Sequence, residues 1–101
     1  MIPIEVDLIP RIRSIAFRIP IGSVLDAAVV GGLDCPFRIV ENDGSWTTYR
    51  IAIGESVSLS KTVPFLVTWT FNRLPLATRG EFNCESRYVQ EWYETTALIT
   101  E

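Results

Sequence analysis

Residues 66–75, "LVTWTFNRLP", carry a β-branched or aromatic side chain at five consecutive positions, Val67 to Phe71. Such side chains suit a pleated, buried surface, and Asn72, Arg73 and Pro75 are residues that end a strand. The stretch predicts a central strand. Only Thr68 and Thr70 interrupt its apolar run, so both faces need a cover, and one sheet-on-sheet core supplies only one. Trp69 is expected in the core or a buried interface; Trp69 and Phe71, or Phe65 and Val67 on the other face, are the residues that would fill that core.

Upstream, Gly54 and Glu55 form a turn, and Val57 and Leu59 alternate with serines. Before them, Trp46, Tyr49, Ile51 and Ile53 follow a run in which Cys35, Phe37 and Ile39 alternate with Pro36 and Arg38. Asp43 and Gly44 lie between these runs, and Asp-Gly in that position predicts a hairpin. Nearer the start, Ile4, Val6 and Leu8 alternate with Glu5 and Asp7, and Ile15, Phe17 and Ile19 alternate with Ala16 and Arg18, as half-buried strands do. Pro3, Pro10 and Pro20 bracket these segments; proline cannot donate to a ladder, so residues 1–11 read as an edge strand or an N-terminal arm.

One segment changes period. In "SVLDAAVV", residues 23–30, Val24, Leu25, Ala28 and Val29 share a helical face, with Ser23 as N-cap and Gly31 and Gly32 as a stop. A two-turn helix is expected there, with a loop and short buried strand as the rival reading. Downstream, a turn at Thr78 to Gly80 leads to a tail that puts Phe82 and Cys84 on one face and carries Tyr88, Trp92 and Tyr93. The expected fold is all-β: residues 1–101 form a single-domain β-sandwich or small barrel of about seven strands with one short helix.

Composition narrows the chemistry. The 101 residues suffice for one domain, and 48% hydrophobic with 21% charged residues is a globular balance. Net charge is −3, the arginines are scattered from Arg11 to Arg87, and Lys61 is the only lysine, so neither a nucleic-acid stripe nor a polybasic membrane patch is present. The longest uncharged apolar run, Val63 to Phe71, is far short of the ~20 residues of a spanning helix. The first residues, "MIPIEVDLIPRIR", do not read as a secretory signal, because Glu5 and Asp7 interrupt them, and an intracellular origin is expected.

Histidine is absent, which removes the commonest general base and metal ligand and rules out a serine triad. Cys35 and Cys84 match no zinc spacing and read as free buried thiols, a disulfide being the alternative. Glu91 with Glu94 and Glu5 with Asp7 are carboxylate pairs of the kind glycosidases use, but period two makes Glu5 and Asp7 a solvated face. "ENDG" at 41–44 lacks the rest of a calcium loop and reads as a turn. Trp46, Tyr49, Trp69, Phe71, Trp92 and Tyr93 could form a stacking platform for sugars or single strands, but core or interface is the expectation. No catalytic residue, metal or cofactor is expected.

The strand, turn, strand, strand unit "IAIGESVSLSKTVPFLVTWTF" and the proline-bracketed start resemble small all-β virion proteins of tailed bacteriophages, the capsid decoration or cement proteins and tail adaptors. The resemblance implies a non-enzymatic structural protein, made in the host cytoplasm and carried in the virion, that forms a trimer or other small oligomer on a major capsid or tail protein. Ile2, Ile4, Leu8, Ile9, Trp92 and Tyr93 are the expected partner-binding residues. A phage-encoded inhibitor or adaptor of one host protein and a carbohydrate-binding module are the alternatives.

Overall fold

The computed structural model describes residues 2–9 and 12–94. They form nine strands: β1 (Ile4–Ile9), β2 (Ile12–Pro20), β3 (Val24–Val30), β4 (Leu33–Asp34), β5 (Phe37–Asn42), β6 (Trp46–Ala52), β7 (Thr62–Phe71), β8 (Leu74–Asn83) and β9 (Tyr88–Glu94). All pair antiparallel, in one sheet of order β1-β2-β6-β5 and another of order β4-β3-β7-β8-β9. One continuous core joins them, with Ile15, Phe17, Tyr49 and Ile51 from the first sheet meeting Leu25, Val63, Val67 and Phe82 from the second. The Leu25 backbone N–H donates across to the Tyr49 hydroxyl at 3.4 Å.

β7 is the middle strand of its sheet, as its composition requires. Its odd positions Val63, Phe65, Val67 and Trp69 are all buried, whereas Pro64 and Leu66 are exposed. Phe65 and Val67 therefore share the face of Trp69, in place of the opposite face assigned to them above, because side chains two apart on a strand point the same way. At its end, Asn72 and Arg73 both take positive φ, 51° and 64°, the geometry of a two-residue reversal whose twist matches the flanking strands. Pro75 consequently sits inside β8 opposite Thr70 and terminates nothing.

The expected helix over residues 23–30 is a strand. Leu25 pairs with Trp69 and Ala27 with Thr68, so Asp26 is an extra residue bulged from the ladder. The bulge turns both Leu25 and Ala28 into the core although they are three positions apart, which imitates a helical period. Ser23 caps no helix; its N–H closes a turn onto the Pro20 carbonyl at 3.0 Å. Gly31 and Gly32, φ 61° and 83°, make the β3–β4 reversal. No helix occurs among the described residues.

The strand in place of the helix and a separate short strand, Leu33–Asp34, raise the strand count from about seven to nine, and β5 starts at Phe37, after Cys35. Val57 and Leu59, by contrast, lie in an irregular segment that plugs the core: Val57 is buried, and the Arg13 guanidinium donates to the Gly54 and Val57 carbonyls. The Asp43–Gly44 hairpin is present, with Asp43 Oδ1 accepting the Ser45 and Trp46 N–H groups at 3.1 and 2.8 Å. Those two bonds hold the Asp43 carboxyl below its ordinary pKa, since they favour the ionised form.

β1 is an edge strand paired along its length with β2. Ile4, Val6 and Leu8 fall opposite Phe17, Ile15 and Arg13 and pack against the chain's own core.

Candidate functional site

The last strand carries the most exposed aromatic surface of the molecule and separates two concavities. Its position is set by the turn before it, where Asn83 Oδ1 accepts the Glu85 N–H at 2.9 Å and the Asn83 carbonyl accepts the Arg87 N–H at 2.6 Å. Asn83, Phe82, Gly80, Arg79 and Thr78 of β8 then face Tyr88, Val89, Glu91, Trp92 and Tyr93 of β9. Phe82 and Thr78 are buried, so Val89, Glu91 and Tyr93 share the inner side, and Tyr88 and Trp92 the outer. Gly80 permits this approach: a Cβ there would stand 1.9 Å from the Gln90 carbonyl oxygen.

On the inner side lies a cleft of about 410 Å³ walled by Trp46, Trp69 and Tyr93 and closed by Ile2 and Pro20. Trp69 meets Tyr93 edge to face, centroids 6.1 Å apart at 65°, and its indole N–H donates to Thr78 Oγ1 at 3.4 Å. Trp46 carries the Arg18 guanidinium 5.6 Å from its ring centre. Glu91 also lines the cleft, and its Oε2 is buried without a hydrogen-bond partner. Desolvation raises the Glu91 pKa; the positive charge of the N-terminus and the Ile2 backbone N–H pull it partly back.

The outer side answers the question posed by β7. Its second face is the floor of an open groove of about 760 Å³, lined by Val29, Pro64, Leu66, Arg79, Glu81 and Trp92. Val24, 57% exposed, extends this face along β3 opposite Thr70. No third layer covers this face among the described residues.

The residues expected to bind a partner therefore divide. Ile2 and Tyr93 meet in the inner cleft, and Trp92 stands in the outer groove, 47% exposed. Ile4 and Leu8 pack on the core, Ile4 also edging a polar hollow with Glu5, Arg18 and Arg50. Ile9 pairs with Ile12 where β1 meets β2, and its side chain lies outside the described residues. Ile4, Val6 and Leu8 are thus half-buried against the chain's own core. Leu66, Pro64 and Val29 were missed, although strict alternation from Trp69 assigns Pro64 and Leu66 to the opposite face. Glu91 was read only as half of a carboxylate pair; nothing in the sequence gives its seat among aromatics contributed by both sheets.

Cys35 and Cys84 are free, Cys35 buried and Cys84 half-buried, and burial pushes the Cys84 thiol upward. No cluster of three metal-ligating residues occurs among the described residues, nor a helix long and apolar enough to cross a membrane. Comparison with protein-family models, curated proteins and solved structures returned no match.

Proposed function

We propose that this chain is a non-enzymatic structural protein of a virion, of the capsid decoration or cement type, with its two sheets stacked as a β-sandwich. It associates with itself as a trimer or other small ring and seats on a major capsid or tail protein. The observation that supports this reading is the uncovered outer face of the second sheet, where Leu66, Val29 and Pro64 adjoin Trp92. Apolar surface of this kind gains roughly 25 cal/mol per Å² when covered, and aromatic residues are the usual anchors of such contacts. Weak individual contacts suffice on a lattice, where many sites bind together.

The contact surface in this reading is the outer face and the β9 edge, not the N-terminal strip. Deleting residues 1–10 would remove β1 and bare the core beneath Val6 and Leu8, so point substitutions on the outer face are the sound test. Sedimentation with capsids or tails produced by the same genome tests the seat directly. Saturable co-sedimentation of the wild-type chain, lost in Leu66→Glu, supports the proposal; absence of wild-type binding contradicts it. A carbohydrate-binding module is the second reading, favoured by the exposure of Tyr88, Trp92 and Tyr93 on one strand.

A further inference from the structure

We propose that the first sheet holds a seat for a phosphate-like dianion between Arg38 and Arg50. These two residues are direct partners in the β5–β6 ladder, so their side chains leave the same face with Cβ atoms about 5 Å apart. A bulge at Val40, two residues on, pins that register. Like charges set directly opposite each other on a sheet are destabilising, and an anion between them turns the repulsion into attraction. Among the described residues Arg38 makes no hydrogen bond or ion pair, and Arg50 makes one bond, from Nη1 to the Ser14 hydroxyl at 2.6 Å. On the other flank of Arg50 stands Ala16, and Glu5 beyond it in the same row forms no ion pair with either guanidinium.

Arg38 and Arg50 border one hollow of about 440 Å³ together with Arg13, Ser14, Pro36 and Ala52, and none of its lining residues is acidic. The Arg13 guanidinium is tied to the Gly54 and Val57 carbonyls, so it adds charge while the other two arginines supply the donors. Three of the nine basic residues of a chain with net charge −3 thus meet at one acid-free hollow. They are scattered in sequence, and the strand order β2-β6-β5 brings them side by side. The planar fork of arginine matches the oxygens of phosphate and carboxylate, and two such forks match a doubly charged group best. The seat belongs to the first sheet and the proposed self-association surface to the second, so the two readings stand or fall separately.

The test is titration of the full chain with sodium phosphate and with sodium acetate at neutral pH, ionic strength being held constant with sodium chloride. Binding is followed through the Arg38 and Arg50 Nε–H resonances and through the melting temperature. Saturable shifts with phosphate, weaker ones with acetate and a melting temperature that rises with phosphate are expected, since a ligand of the folded state stabilises it. Arg38→Gln should weaken phosphate binding about tenfold or more, the scale of one charged hydrogen bond. Arg38 is exposed, so the variant should fold, and without phosphate it should melt no lower than wild type because the repulsion is gone. Arg50→Lys keeps the charge but loses the fork and should bind more weakly than wild type. Lys61→Gln makes the same charge change beside the second sheet and should leave binding unaltered. Shifts no larger with phosphate than with chloride, phosphate binding that survives Arg38→Gln, or an equal loss in Lys61→Gln would overturn the assignment.

Discussion

Trp69 and Tyr93 meet edge to face at 6.1 Å although Trp69 is 3% exposed and Tyr93 58% exposed. The pair ties the centre of the core to the outermost strand of the second sheet. Tyr93→Ala should therefore change Trp69 fluorescence while lowering stability by only about 1 kcal/mol, the worth of an edge-to-face pair. A denaturation curve superimposable on wild type, with unaltered emission, would show that the rings do not interact in solution.

Trp69 itself is a different matter. Its replacement by alanine removes a buried indole in the middle of β7, which should cost about 3–5 kcal/mol and unfold much of a domain this small. Urea denaturation of Trp69→Ala is the check, and wild-type stability would contradict the placement of β7 at the centre.

The hydrophobic pattern disclosed the β7 strand, the Asp43–Gly44 hairpin and the edge position of β1, because each follows from local alternation or from turn chemistry. Leu25 and Ala28 misled, since a bulge at Asp26 is set by pairing with Trp69 and Thr68, partners more than 40 positions away. Asn72 and Arg73 looked like the end of a strand; that they form an immediate reversal depends on two positive φ angles that Arg73 does not advertise. The candidate site was half legible. Trp92 and Tyr93 stood out as aromatics, whereas the seat of Glu91 beside Trp46 arises only when the sheets come together.

Gly80 is a sharp probe of the β9 position. Its Cβ would fall 1.9 Å from the Gln90 carbonyl oxygen, a backbone atom that cannot swing aside. Gly80→Ala should loosen β9 from β8, so that amides of residues 88–93 exchange faster while β2 and β6 stay protected. Hydrogen exchange resolved by residue tests this; uniform protection would mean that β9 does not lie where it is described.

Glu91 gives a pH signature. Its folded pKa lies above the unfolded 4.5, so the folded state binds the extra proton, and the stability associated with this group falls as pH rises from about that value through the folded pKa. Glu91→Gln should flatten this part of the stability profile and stabilise the protein near neutrality. Asp43 acts oppositely: its lowered pKa supplies stability above the ordinary 3.8 that is lost as pH falls through the folded value. Melting temperatures of the wild type, Glu91→Gln and Asp43→Asn between pH 3 and 8 separate the two; a Glu91→Gln profile parallel to wild type would remove the burial assigned to that carboxyl.

The most direct measurement of the central claim is light scattering coupled to size-exclusion chromatography, over a wide concentration range, on the wild type and on Leu66→Glu and Trp92→Glu. Both substitutions fall on the outer face, where Leu66 is 36% and Trp92 47% exposed, so folding should survive and circular dichroism can confirm it. The account predicts a wild-type mass that rises with concentration to a small closed oligomer, and monomers for both folded variants. A wild type that stays monomeric at every concentration, or folded variants that associate as the wild type does, would contradict it.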